Sequence, residues 1–449
     1  MPSSGALPGF RDFYPAECAE REHVFRAWRA VARRYGFVEY DGPPLEPLDL
    51  YTKKSGDEIV GQLYEFTDKG GRRVALRPEM TPSFARMVSE RANALRKPIR
   101  WFSIPQLFRY ERAQKGRLRE HFQLNVDIVG EPGPVADAEL LAVAVDMMAE
   151  LGLGPGDVRA RVSDRRLLFA ALDALGLDTT QRMAALGVVD KLGRQPREVS
   201  VEKLRESGID SSRTEALLAT VGARDIDAFV AAAGGAKSVA AAAQPLRQTL
   251  EYVDALGVGA WIDFDPAIVR GLAYYTGVVF ELFDARGEFR AICGGGRYDD
   301  LLKTLGGVDL PALGFGMGDV VLSELLRARK LMPEESASSG VELYVVGGQG
   351  SAGRPYTDAL RLARALRNAG FSVDHALSAE RYGSQAPRNQ LEAAKKSGAR
   401  AAVFFDDGGA VTAMAMTGKL GDAPRWTAPA QAALDGAAMP ALRDWLKSL

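Results

Sequence analysis

The chain has 449 residues, with 57 Lys and Arg set against 58 Asp and Glu for a formal net charge of −1. It therefore has no global basic surface, and any nucleic-acid contact must come from local patches. At 47% hydrophobic and 26% charged residues it is globular and long enough for two or three domains. Two cysteines (Cys18, Cys293) and three scattered histidines (His23, His121, His375) give no metal-ligand spacing, so no bound metal is expected. The N-terminal MPSSGALPGFRDFYP has no apolar leader core, and no run of 18 apolar residues occurs, which predicts a cytoplasmic protein without a membrane segment.

Between Glu22 and Tyr35, the residues Val24, Trp28, Val31 and Tyr35 recur at helical spacing, and Gly36 predicts the helix end. FVEYDGPPLEPL then predicts a short strand broken by Pro43 and Pro44. Residues 72–77 and 100–111 read as strands, with a helix from about Pro82 to Leu95 between them. In LRPEMTPSFARM (76–87), Thr81 is expected to cap that helix, with Pro82 in its first turn. Glu79 precedes the cap, where its carboxylate can receive a ligand ammonium.

FRYERAQKGRLREHFQLNVDIVG reads as a β-hairpin with a basic tip. Arg109, Arg112, Lys115, Arg117 and Arg119 crowd into 109–119 with Glu111 as the single acid. On the return strand Phe122, Leu124, Val126 and Ile128 alternate with Gln123, Asn125 and Asp127, so the apolar set faces a core and the polar set shares the opposite face. Such a surface suits a small polar ligand carrying phosphate and ammonium groups. In isolation it would read as a solvated hairpin with ion pairs.

Helices are predicted from Val135 to Leu151 and, after a strand at 158–164, on to Leu175; residues 178–257 read as a helical insertion. Strand character returns at 274–283, in the strand–glycine turn 290–302 and at 312–322, which together favour an antiparallel-rich α+β domain. VRGLAYYTGVVFE (269–281) joins Arg270, a fixed cation for carboxylate or phosphate oxygens, to Tyr274 and Tyr275, either of which can offer a hydroxyl to a ring nitrogen. As a plain structural segment it would be a turn into an edge strand. Gly294 to Gly296 permit close backbone approach but are not a P-loop, since no Gly-Lys-Ser/Thr follows. PEESASSG (333–340) is a linker to a regular α/β domain at 341–449. There Gly348, Gly350 and Gly353, with Asp374 about 20 residues on, match a dinucleotide fingerprint only weakly; the plainer reading is a strand-to-helix loop.

Taken together, PGFRDFYP, PPLE (43–46), RPEMT, the hairpin, RGLAYYTG and GGGRYDDL resemble the histidyl-tRNA synthetase family of class II aminoacyl-tRNA synthetases over nearly the whole chain. The hairpin resembles the family's motif 2, and RGLAYYTG and GGGRYD its two histidine-specific segments. The resemblance implies a class II antiparallel sheet flanked by helices in a catalytic core at 1–332, with the insertion at about 178–257 and a C-terminal α/β anticodon-binding domain. It implies activation of L-histidine by ATP with release of pyrophosphate, then transfer to the 3′ end of tRNA(His), with ATP and Mg²⁺ as a substrate complex and no tightly bound cofactor. By resemblance Arg109 holds the α-phosphate, Glu111 orients the adenine or ribose side, and Arg117 joins the ATP contacts. Arg270 meets the histidine carboxylate and the α-phosphate. Glu79, Thr81 and Gln123 take the amino group; Asp127 and Tyr275 bracket the imidazole, with Tyr274 beside them. Arg112, Gln114 and Lys115 at the hairpin tip face the tRNA acceptor end, although Ala113 replaces a more usual proline. The helix 22–35 with Pro44 matches the motif that builds a homodimer.

Two positions depart from the pattern. Ala273 stands where the family often has aspartate. The third motif normally ends in a Gly-x-Glu-Arg run whose arginine grips the ATP γ-phosphate, but here GFGMGDVVL puts Val320 and Val321 at the glutamate and arginine positions. Losing that charge-assisted contact costs roughly 1.5–3 kcal/mol unless another group replaces it; Arg327 and Arg329 follow nearby. The alternative implied is a non-ligase paralogue, the regulatory subunit of ATP phosphoribosyltransferase, or a histidine sensor. Such paralogues usually lack the last domain and degrade the motif 2 loop, and this chain keeps both.

Overall fold

The computed structural model describes residues 5–52, 61–111, 116–192, 195–269, 274–333, 340–346, 356–377, 387–417 and 423–449. The chain divides into two compact units, residues 1–12 with 20–332 and residues 13–19 with 333–449.

Among its described residues the larger unit holds twelve strands: β1 (Val38–Glu39), β2 (Leu45–Pro47), β3 (Tyr64–Thr67), β4 (Arg73–Leu76), β5 (Ile99–Ser103), β6 (Gln106–Phe108), β7 (Glu120–Val129), β8 (Val158–Asp164), β9 (Ile262–Phe264), β10 (Val278–Asp284), β11 (Cys293–Arg297) and β12 (Ala312–Gly318). Its main sheet runs β1-β5-β7-β12-β11-β10-β8-β9, with β6 paired to β7 as the predicted hairpin; β2, β4 and β3 form a small separate sheet. Only the outer pairs β1–β5 and β8–β9 of the main sheet are parallel, so it is antiparallel-rich as expected. The segment at 278–284 lies between β11 and β8 and is not an edge strand.

Alternation along β7 does what its pattern predicts. Leu124, Val126 and Ile128 are buried in the main core, where helix Pro134–Glu150 and the face of helix Pro15–Arg34 carrying Val24, Trp28 and Val31 also pack. That second helix begins at Pro15, before the predicted Glu22; its first turns carry charged and small residues without the apolar spacing from which the start was read. The predicted strand at 312–322 ends at Gly318, and Asp319–Ala328 is a helix. Helix Thr81–Arg91 has Met80, not Thr81, at its cap, and no side chain caps it.

The insertion is helical throughout its described residues but is not one module. Leu186, Val189, Leu204 and Leu217 form a cluster with Leu168, Leu172 and Val269. Its later helices, through Phe229, Val239, Ala243 and Leu246, belong to the main core.

The smaller unit has a five-stranded sheet, β14 (Val373–His375), β13 (Leu343–Val345), β15 (Ala401–Phe405), β16 (Val411–Ala415) and β17 (Arg425–Ala428), parallel across the first three and antiparallel thereafter. Its core joins Leu343 and Val403 to Leu362, Leu366 and Leu442. The glycines of the fingerprint at 348–353 lie outside the described residues; Asp374 sits on β14. No helix among the described residues is long and apolar enough to cross a membrane.

One buried charge fastens the sheet to its helical layer. Arg297 at the end of β11 is 1% exposed and donates to Asp137 in helix 134–150 at 2.8 Å, to the Glu131 carbonyl at 3.0 Å and to the Gly133 carbonyl at 3.2 Å. Removing one partner of such a pair strands a charge in low dielectric. Arg297→Ala is expected to destabilise the larger unit by roughly 3–5 kcal/mol, read by hydrogen exchange of the β11 and β12 amides. Arg297→Met with Asp137→Leu recovers only part of that loss, since the two carbonyls stay unsatisfied.

Candidate active site

Four neighbouring strands build the floor of a cavity of about 360 Å³, within the range of small-molecule sites. From β7 come Gln123, Asn125 and Asp127; across the ladder the register sets Gly314 of β12 opposite Asp127 and Gly316 opposite Asn125. Gly294 of β11 faces Gly316, and Glu281 of β10 faces Gly294. The bare glycines leave the side chains of β7 room to lie across the sheet. A Cβ on Gly314 would run into Asp127 Oδ1 and come within 2.8 Å of the Tyr298 hydroxyl; one on Gly316 would run into the Gln123 amide.

The hairpin supplies one wall. Arg109 continues the ladder, its backbone N–H donating to the Arg119 carbonyl at 2.9 Å, and its Nε donates to the Pro78 carbonyl at 3.0 Å. That bond ties the arginine to the turn carrying Glu79 and Thr81, and all three line the cavity. Met80 rather than Thr81 occupies the cap position, and Thr81, in the first turn, lines the cavity. Glu111 accepts from Arg117 Nη1 at 2.9 Å, and both line the cavity. Behind them Arg11 bridges Glu120 at 2.6 Å and Asp319 at 2.9 Å, while Asp319 also accepts from the Phe122 N–H at 3.0 Å. The hairpin and the start of helix 319–328 are thereby locked together. Burial, and then the charge of Arg109, push the His121 imidazole down to about 3, so it stays neutral beside the arginine.

At the far end Tyr274, Tyr275 and Tyr298 form an aromatic cluster, with ring centroids 4.8 Å apart for Tyr274–Tyr275 and 5.9 Å for Tyr274–Tyr298. The Tyr298 hydroxyl donates to Asp127 Oδ1. Burial pushes the Asp127 carboxyl up to about 7, against which the Tyr298 bond acts only in part. Burial and the adjacent carboxylate hold the Tyr298 phenol well above its ordinary range.

The cavity thus gathers Glu79, Thr81, Arg109, Glu111, Arg117, Gln123, Asp127, Tyr274 and Tyr275 from the sequence-predicted set. Arg270, Arg112, Gln114 and Lys115 lie outside the described residues. Entry to the Arg270 segment is fixed, however: Val269 packs in the insertion cluster, and Arg165 Nη1 donates to its carbonyl at 3.3 Å. Sequence reasoning missed Tyr298, Glu281, Gln62 and Asp190, all of which line the cavity. Glu281 carried a signal, as the one charge inside the apolar run VVFELF. Tyr298 lay within the GGGRYD segment, but its partner Asp127 is remote in sequence, so its role could not be read locally; Asp190 carried no local signal. Arg327 and Arg329 do not reach the cavity: Arg327 pairs with Glu20, and Arg329 with Asp284 at 2.6 Å and Asp157 at 3.3 Å.

A mostly antiparallel sheet that gives one face to helices and the other to a ligand is the architecture of the class II aminoacyl-tRNA synthetases. The fold matches a histidyl-tRNA synthetase from a Nostoc species (TM-score 0.80, 22% identity, 96% of this chain and 98% of that one). It also matches an ATP phosphoribosyltransferase regulatory subunit/histidyl-tRNA synthetase from Bacillus halodurans (TM-score 0.68, 22% identity, 84% and 93%). The family model for histidyl-tRNA synthetase matches residues 9–319. A histidine–tRNA ligase from Opitutus terrae is 47% identical over 409 residues, 90% of this chain and 91% of its own length. The chain belongs to the histidyl-tRNA synthetase family.

Two outcomes test the geometry. Asp127 has a folded pKa of about 7 against an ordinary 3.8, so the native state holds a proton that the unfolded chain has lost between those values. Its contribution to stability is therefore full below about pH 4 and is lost as pH rises through about 7; Asp127→Asn removes that slope in urea unfolding at pH 5 and pH 8. Gly314→Ala, which forces Asp127 and Tyr298 aside, abolishes ligand binding in calorimetry while Gly318→Ala, in open space, does not.

Proposed function

We propose that this cavity joins L-histidine to ATP and then passes the histidyl group to tRNA(His). As a member of its family the chain is an aminoacyl-tRNA synthetase, a histidine–tRNA ligase. The observation that carries the specific reading is the buried Asp127–Tyr298 pair, set in one cavity with Glu79 and Arg109. A carboxylate and a phenol at the closed end suit the two nitrogens of an imidazole. A buried pair of this kind rejects apolar amino acids, because its polar groups would otherwise stay unpaired. Glu79, Thr81 and Gln123 then receive the amino group.

Adenylation forms a bond between a histidine carboxylate oxygen and the α-phosphorus of ATP and breaks the bond to the β-phosphate bridging oxygen, whose electron pair leaves with pyrophosphate. Both reactants are anionic, so the protein's contribution is positive charge and alignment. Arg109, fixed on the Pro78 carbonyl, faces the α-phosphate; Arg270 is assigned to the same reacting centre. Glu111 with Arg117 orients the nucleoside side, and ATP enters as its Mg²⁺ complex. In the second step a hydroxyl of the tRNA 3′ end attacks the acyl carbon and AMP leaves. Arg112, Gln114 and Lys115 are assigned to the acceptor end, the unit at 341–449 to the anticodon, and the working form to a homodimer in the cytoplasm.

The rival reading is a regulatory paralogue that binds histidine without charging tRNA. The Bacillus likeness shows that the fold is compatible with both, and Val321 favours the rival. Against it stands the 47% identity to a ligase, which spans 90% of the chain. Amino-acid-dependent ATP–pyrophosphate exchange across the twenty amino acids decides: exchange with histidine alone is expected. Histidine binding without exchange would establish the paralogue.

A further inference from the structure

Among the described residues the helical insertion reaches the cavity through one side chain, that of Asp190. Ala267, Ile268 and Val269 line the cavity with it. Packing explains the placement. Asp190 follows helix Thr179–Val189, and Val189 sits in the insertion cluster with Val269, against which Ala267 also packs. Ile268 belongs instead to the cluster of Tyr275 and Tyr298. Segment 267–269 thus joins the end of the insertion helix to the aromatic end of the cavity, rather than to the hairpin wall that carries Glu111 and Arg117.

Helix stability does not account for an aspartate at this position. The last carbonyls of a helix carry partial negative charge and disfavour a carboxylate beside them. Asp178, Asp210 and Asp225 of the insertion stand at helix N-termini, where the sign is favourable. Each accepts a backbone N–H there, from Gln181 at 2.9 Å, Arg213 at 2.9 Å and Ala228 at 2.7 Å. Asp254, in the last turn of helix Lys237–Ala255, is exposed, and solvent screens it. Asp190 closes a C-terminus, its N–H donating to the Leu186 carbonyl at 3.0 Å, yet it is half-buried at the cavity wall. Among the described residues no hydrogen bond or ion pair reaches its carboxylate.

A carboxylate so placed favours a cationic group in the cavity. Histidine and ATP are anionic at their reacting ends, and the imidazole is assigned to the Asp127–Tyr298 pair. Apart from the Mg²⁺ that travels with the phosphates, the cation left is the α-ammonium of histidine.

We infer that Asp190 receives the α-ammonium of histidine from the insertion, alongside the Glu79, Thr81 and Gln123 set. The inference rests on the reading of the cavity as a histidine site and deepens it, because it makes the insertion part of amino-acid recognition. The ammonium keeps its charge when the carboxylate is adenylated, so the contact persists until transfer. An ionised pair with N–H donors is among the stronger hydrogen-bonded contacts.

The test measures calorimetric binding of three ligands to wild type, Asp190→Asn and Asp190→Glu. L-Histidine carries both groups, L-histidinol lacks the carboxylate, and imidazolepropanoate lacks the ammonium. Asp190→Asn is expected to weaken histidine and histidinol about tenfold and to leave imidazolepropanoate within about twofold. Asp190→Glu retains part of the affinity. Asparagine also removes the conflict with the helix end, so its thermal midpoint equals or exceeds that of wild type, whereas a structural role lowers midpoint and affinity together. In ATP–pyrophosphate exchange Asp190→Asn raises KM for histidine and leaves KM for ATP within about twofold. Unchanged histidine binding, equal weakening of all three ligands, or a rise in KM for ATP alone overturns the inference. So does loss of transfer to tRNA with histidine affinity intact, which would put Asp190 at the acceptor end. Wild type that binds histidine without exchange counts against the proposed reaction alone, since the three ligands still report on Asp190. Wild type that binds neither histidine nor histidinol overturns both.

Discussion

The register that sets Asp127 opposite Gly314 is the constraint on which the rest of the site depends. A strand offers its neighbour only every second side chain, so a ligand-facing row on one strand normally meets a ligand-facing row on the next. Here β12 and β11 answer the polar row of β7 with glycine. The long side chains of β7 fold over bare backbone, and the cavity gains depth without a break in the sheet. A slip of one residue would turn Gln123, Asn125 and Asp127 into the core and bring Leu124 and Val126 to the cavity. The apolar face of β7, packed against helix 134–150, forbids that slip. Fold and site are therefore specified by one pattern, read from opposite sides.

Buried charge then fixes what hydrophobic packing leaves free. Arg297 ties β11 to helix 134–150, and Arg11 ties the N-terminal segment to the hairpin and to helix 319–328. Neither pair faces the ligand. Their value is positional, since each has one geometry that satisfies its carboxylates and misplacement would leave a charge stranded. Asp127 belongs to another kind. Its carboxyl is buried with a phenol as its hydrogen-bond donor and no cation among the partners that perturb it, which is why its pKa rises. The first two are anchors, whereas the third is held in a state that a ligand can complete.

Much of this was legible in the sequence. The hairpin, the two faces of β7, the strand at 158–164 and the helical character of the insertion followed from periodicity and turn residues. What escaped did so for physical reasons. DVVL after Gly318 has the β-branched content of a strand, yet it opens a helix whose first residue is pinned by Arg11, far away in sequence. Thr81 with Pro82 has the chemistry of a cap, but the turn places Met80 there and leaves Thr81 facing the cavity. Strand β3 carries no strong alternation and is held by pairing with β4. Tyr298 was hidden inside a glycine-rich segment, where attention falls on the backbone, and its partner Asp127 lies on a strand that is not even its neighbour in the sheet. Local chemistry can be read along a chain; a contact between distant segments has no local signature.

The divided packing of the insertion has a consequence for how such a chain can be remodelled. Insertions that fold by themselves can be lost, exchanged or moved between proteins without harm to the host. This one is sewn in at two depths, with its later helices in the main core and its earlier ones gripping Val269, at the threshold of the Arg270 segment, and sending Asp190 to the cavity. Excision would open the core and loosen the site in a single event. The segment is thus an inseparable part of the catalytic unit, and its sequence is free to drift only on the surfaces that neither core nor cavity touches.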